Sequence, residues 1–177
     1  ENYNNGKLIL GVNYRQSPRQ NLKVLQLCSI FAYNSYEAAF KEARRKNKPV
    51  FLYFTGYGCI SDRRFEKNYF CNDTVHKLLN FDFISAFLIV DDPNILPEED
   101  YYITPKNDTL KTIGKKNAYY QINTFSVNSQ PFFVLLNPDG KLLNEPIGYI
   151  GSDATIEFIQ FLEEGLSRFH SGEYLEE

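Results

Sequence analysis

The chain has 177 residues, net charge −3, and is 43% hydrophobic and 16% aromatic, which is about one domain's length and enough to bury about 70% of its unfolded surface. That composition excludes a disordered chain and offers no basic face for nucleic acid, since Lys115 and Lys116 beside Tyr119 and Tyr120 read as a solvated surface. A membrane span is excluded too, because the longest apolar runs, such as "FISAFLIV" (83–90), are strand length and far below the roughly 18 to 20 residues a spanning helix needs. The sequence opens on Glu1 rather than Met, so it reads as a processed chain or a piece of a longer one.

In chain order, residues 1–33 read as an N-terminal extension, with "KLILGVNY" (7–14) a strand, "SPRQN" (17–21) a turn and "LKVLQLCSIFA" (22–32) a second strand. "NSYEAAFKEARRKNK" (34–48) predicts a helix, with Asn34 and Glu37 spaced as a capping box and Pro49 as its stop. "VFLYF" (50–54) is a continuous apolar run, the pattern of a strand buried on both faces. After "TGYG", the spacing of Phe65, Tyr69 and Phe70 predicts a helix over 60–70, and "DTVHKLLN" (73–80) a second one. The strand 83–90 leads into a polar, proline-bearing stretch over 91–114 that reads as an insertion. "KNAYYQINTF" (116–125) predicts a helix, "PFFVLLN" (131–137) a strand, and "PDG" (138–140) a turn into "KLL" as a further strand. The last helix, 153–169, places Ile156, Ile159, Phe161, Leu162 and Leu166 on one side. This order predicts an α/β fold with a central mixed sheet and helices on both faces: an extension over 1–33, one domain over 34–170 and a tail over 171–177. Pro131 cannot lie inside a central strand, so it marks an edge or a strand start, where a cis bond is admissible.

The chemistry-bearing residues are few. Cys59 follows an aromatic-glycine loop at the start of a predicted helix, and Asp62 stands where a second cysteine would complete C-x-x-C. A helix N-terminus favours a thiolate at Cys59, while an ionised Asp62 one turn away opposes it. Cys71 lies twelve positions beyond Cys59, about 18 Å if one helix joins them, too far for a bridge. Cys71 therefore reads as a structural thiol. Cys28 reads as a buried small hydrophobe, with a bridge to Cys59 or Cys71 as the alternative. His76 and His170 have no dense ligand spacing with the cysteines, so neither a Cys-His hydrolase nor a metal site is expected. Asp91, Asp92, Glu98, Glu99 and Asp100 lack EF-hand spacing and read as solvated acids.

Taken together, "NKPVFLYFTGYGC", "RRFE", "LIVDD", "LKTIG", "NSQPFFVLLNPDGKLL" and "FIQFLEEGL" resemble the C-terminal thioredoxin-like domain of DsbD-type thiol:disulfide interchange proteins, over about residues 34–169. The resemblance implies a thioredoxin-like fold with a cis Pro131, a nucleophilic Cys59 and a groove where Tyr57, Gly58, Gln130 and Pro131 meet an extended protein or peptide partner. It implies no cofactor, and a periplasmic or cell-envelope location. Two positions depart from the family: Asp62 replaces the resolving cysteine, and Tyr53 replaces a buried acid six residues before Cys59. The expected function is thus a degenerate, non-catalytic or weakly redox-active module that binds extended, thiol-containing protein or peptide. The alternative is a monothiol disulfide oxidoreductase in which Cys59 attacks and an external thiol resolves.

Overall fold

A computed structural model of the chain describes residues 8–10, 30–58, 65–151 and 153–175. Its centre is a five-stranded mixed sheet in the order β1-β2-β4-β3-β7. Strands β1 (Leu8–Leu10) and β2 (Phe31–Tyr33) pair antiparallel at one edge. β4 (Ile84–Ile89) runs parallel to both β2 and β3 (Val50–Thr55), while β7 (Phe132–Leu136) closes the other side antiparallel to β3.

All six residues of β3 are buried, as a strand covered on both faces must be. The pleat sends Phe51 and Tyr53 of β3, with Phe133 and Leu135 of β7, into one core. Val50, Leu52 and Phe54, with Phe132, Val134 and Leu136, face the other. The second core is covered by α1 (Tyr36–Lys46), through Ala39 and Ala43, and by α3 (Ile113–Phe125), whose Tyr120 and Phe125 pack against it. The first is covered by helical turns of π geometry at Glu66–Phe70 and Leu78–Asp82, by α2 (Asp73–Lys77) between them, and by α4 (Thr155–Ser171). The α/β sandwich expected from the order of elements is the one observed.

Several local expectations are corrected. Ser35, not Asn34, caps α1: its hydroxyl accepts from Ala38 N–H and donates to Glu37 Oε2 at 2.7 Å. α3 starts at Ile113 because Thr112 caps it, accepting from Lys115 N–H. "KLL" forms no strand. Only isolated bridges join Leu142 to Leu136 and Ile147 to Phe133, with Pro146, which has no N–H to give a ladder, between them. In α4, Ile156 is 69% exposed while Phe158 is fully buried; the inward face repeats at 158, 161, 162 and 165, the helical period. Gly165 lets this face approach β7, since a Cβ there would collide with the Leu135 side chain. The insertion after β4 carries its own small hairpin, β5 (Tyr102–Ile103) with β6 (Thr109–Leu110).

Cys71 is also corrected. It is not a thiol but is disulfide-bonded, and it is exposed. The chain has three cysteines, so the partner is Cys28 or Cys59, both outside the described residues. No helix among the described residues is long and apolar enough to cross a membrane.

Candidate functional site

Parallel β3 and β4 run in register, Thr55 opposite Ile89, so the turns leaving their C-terminal ends lie side by side. The antiparallel partner of β3 sets Phe54 opposite Phe132, which places the chain after Phe54 beside the chain before Phe132. One end of the sheet therefore gathers the Gly56–Tyr57–Gly58 turn, Asp91 and Asp92, and Gln130–Pro131.

Two acids hold the turn. Asp91 Oδ1 accepts from Tyr57 N–H at 2.8 Å and Oδ2 from Gly58 N–H at 3.4 Å, and Asp92 Oδ2 accepts from the Tyr57 hydroxyl at 3.3 Å. Asp92 is only 8% exposed, so the expectation of solvated acids fails there. Its other oxygen accepts from the backbone and side-chain amides of Asn94, at 2.9 and 2.8 Å. On the opposite side Pro131 is buried and the Gln130–Pro131 peptide bond is cis. Gln130 Nε2 donates to Gln121 Oε1 at 3.0 Å, and Gln121, fully buried, donates to Ser129 O at 2.9 Å. Tyr57 stays about half exposed, an aromatic ring with a polar tip at the turn. Cys59 and Asp62, the expected nucleophile and the position of the lost resolving thiol, lie outside the described residues.

Beneath this end lies Tyr53, with no exposed surface, its ring stacked on Phe133 at 4.9 Å and edge-on to Phe87 and Phe70. Its hydroxyl donates to Glu66 Oε1 at 3.2 Å, and Glu66 is 3% exposed. The resemblance implies an acid at position 53, where this chain has Tyr53; the structure brings a carboxyl to the Tyr53 hydroxyl from Glu66. Glu66 adjoins Phe65 and precedes Phe70 by one turn in the sequence, but that spacing alone does not say which way its carboxyl turns. Asp91 and Asp92 were missed because two adjacent acids after a strand carry no spacing that distinguishes a clamp from a solvated turn.

Among the described residues no three His, Cys, Asp or Glu side chains come together to hold a metal. An open cavity of about 660 Å³ lies between α1 and α3, lined in part by Tyr33, Glu37, Lys41, Arg45 and Lys116. It contains none of the turn residues.

A thioredoxin-like domain family model matches residues 36–165. The chain belongs to the thioredoxin-like domain family. The fold also matches a solved structure described as DsbH oxidoreductase, with TM-score 0.55 and 19% identity over 89% of this chain and 94% of that one. Weaker structural matches are a thioredoxin from Thermus thermophilus (TM-score 0.49, 24% identity, 73% and 82% covered) and the reduced DsbD C-terminal domain of Neisseria meningitidis (0.46, 19%, 73% and 93%). No curated protein matches significantly in sequence. This thioredoxin-like domain has the α/β class expected from its sequence, a central mixed sheet with helices on both faces, and carries the β5–β6 hairpin in the insertion after β4.

Proposed function

We propose that this thioredoxin-like chain is a DsbD-type module that binds an extended protein or peptide segment along the groove between Cys59 and Pro131, without two-thiol turnover. One observation carries the reading: Cys71 is held in a disulfide, and with three cysteines in the chain at most one thiol remains. Exchange by a dithiol site needs two, one to attack and one to resolve. With Asp62 at the resolving position, a mixed disulfide at Cys59 has no neighbour to release it. Tyr57, Gly58, Gln130 and Pro131 serve as the contact residues, and an extended segment adds there by strand-like hydrogen bonds. The module spans 34–170, carries 1–33 as an extension and 171–177 as a tail, and uses no cofactor. A disulfide at Cys71 favours an oxidising compartment, which supports a periplasmic or envelope location.

The experiment is insulin reduction with dithiothreitol as reductant, comparing wild type, Cys59→Ser and Asp62→Cys. Wild type should match Cys59→Ser at the uncatalysed rate, and Asp62→Cys should gain turnover, because an internal thiol replaces a bimolecular attack. Rapid wild-type turnover that Cys59→Ser abolishes gives the other outcome. There the Cys59 thiolate attacks the substrate S–S bond, expels one substrate thiolate, and is released when an external thiolate attacks the mixed disulfide; the chain is then a monothiol oxidoreductase.

A further inference from the structure

We propose that Asp91 is a positioning residue whose carboxylate pins the Tyr57–Gly58 turn and thereby fixes how Cys59, the next residue, is presented. The inference deepens the site proposed above and rests on it only in taking Cys59 as the group presented.

Consecutive N–H groups at Tyr57 and Gly58 converge on the two oxygens of one carboxylate, at 2.8 and 3.4 Å. A carboxylate is the side chain suited to this, because each oxygen accepts independently and its charge strengthens both bonds. The approach is close: a Cβ on Gly56 would stand 3.2 Å from Asp91 Oδ2, so a glycine lets the carboxylate sit against the turn. The base of the clamp is itself fixed. Val90 N–H donates to Thr55 O at 2.9 Å, a rung that ties the residue before Asp91 to the end of β3. Asp92, the residue after it, has its carbonyl bonded by Gly114 N–H at 3.0 Å, and its carboxylate is shared by Asn94 and the Tyr57 hydroxyl. Gly114 permits α3 to come this near, since a Cβ there would lie 2.8 Å from Val90 O and would collide with the Asp92 backbone. Asp91 thus projects from a segment held on both sides, and a site held by such a support keeps its geometry better than one on a free loop.

The test uses the full chain and three forms: wild type, Asp91→Ala and Asp91→Asn. Two quantities are read: hydrogen exchange of the Tyr57 and Gly58 amides by NMR, and the rate of Cys59 alkylation by iodoacetamide, resolved by peptide mapping. Alkylation reads a thiol whether or not the chain exchanges disulfides, so it does not depend on turnover. In Asp91→Ala both amides should lose protection, Tyr57 by at least about tenfold, and Cys59 should alkylate several-fold faster as its turn loosens. Asparagine keeps one acceptor oxygen and has no charge. Asp91→Asn should therefore keep Tyr57 protected, lose Gly58, and alkylate near the wild-type rate. Unchanged Tyr57 exchange in Asp91→Ala overturns the clamp. Equal alkylation in wild type and Asp91→Ala overturns its effect on Cys59, and equal alkylation in the Asn and Ala variants assigns the effect to charge rather than position. A Cys59 that never alkylates and is recovered crosslinked to Cys71 in a non-reducing peptide map overturns the presentation of a Cys59 thiol but leaves partner binding without a covalent step standing, and amide exchange still decides whether Asp91 holds the turn.

Discussion

A tyrosine hydroxyl carried into an aromatic core must find an acceptor, and Tyr53 finds Glu66 at 3.2 Å. Both groups are almost wholly out of water, where losing one partner of a hydrogen bond costs more than the bond's own net contribution. Tyr53→Phe preserves the ring that stacks on Phe133 and meets Phe70 and Phe87, so it removes the hydroxyl alone. We expect it to cost about 1–3 kcal/mol in urea denaturation. Glu66→Gln keeps an acceptor oxygen and should cost less than Glu66→Ala. The double variant Tyr53→Phe/Glu66→Gln should fall short of additivity by about 0.5 kcal/mol or more; strict additivity would show that the two residues do not act as a pair. This pair also marks where the sequence could be read and where it could not. Tyr53 was legible as a departure because a strand position six before Cys59 is fixed by counting. Glu66 was not, because a carboxyl's burial depends on which way a helix turns, and a single Glu beside Phe65 does not fix that rotation.

At the level of elements, α1 and α3 are joined across the second core by a side-chain cluster. Tyr36 stacks on Tyr120 with ring centroids 3.9 Å apart, and Glu37 pairs with Lys116 at 2.7 Å. Burial raises Tyr120 to about 12, with the Glu37 charge adding to it, and the same two causes raise Tyr36 further. Burial also pushes Glu37 upward, but its hydrogen bonds from Lys116 and Ser35 outweigh this and leave it lowered. A raised tyrosine means that the folded chain holds the proton more tightly than the unfolded one. The associated stability is complete below the ordinary tyrosine value near 10 and is lost as pH climbs through about 12. Denaturation between pH 9 and 12 should therefore show a steep loss in wild type and a shallower one in Tyr36→Phe and Tyr120→Phe; parallel curves would refute the assignment. Both helices were readable, α1 from a capping signal and its proline stop, but neither start was. A cap is decided by which hydroxyl meets a free N–H: Ser35 lies one residue past Asn34, and Gly114 in the first turn of α3 masks the Thr112 cap. The β5–β6 hairpin went unread because two-residue strands around Asn107, whose φ is +67°, leave too little alternation to detect.

For the molecule as a whole, the question is what Cys71 is bonded to, because the answer decides whether Cys59 is left as a thiol. Phe70, its neighbour, packs on Tyr53 and Phe87, which face each other in the β3–β4 register. Gly58 instead reaches Asp91, four residues beyond Phe87 and past the C-terminal end of β4. A disulfide requires Cα atoms within about 7 Å, so the level of Gly58 argues against Cys59. The start of β2 is better placed: Ile30 is buried in the same core as Phe70, Val75 and Leu79, and Phe31 N–H donates to Asn80 Oδ1 at 2.8 Å. Cys28 is two residues before Ile30, within about 7 Å of chain. We therefore expect the bond to join Cys28 to Cys71, fastening the extension to the helical layer over the first core. Closing a loop of roughly forty residues is worth on the order of 4 kcal/mol in the chain-entropy account. Cys28→Ser and Cys71→Ser should each lower the melting temperature by a similar, large amount, and Cys59→Ser should leave it nearly unchanged. Non-reducing peptide mapping after alkylation should recover a 28–71 crosslink and Cys59 as the alkylated residue. A 59–71 crosslink would place the bridge at the turn itself, remove the one remaining thiol from the groove, and leave the chain to bind its partner without any covalent step.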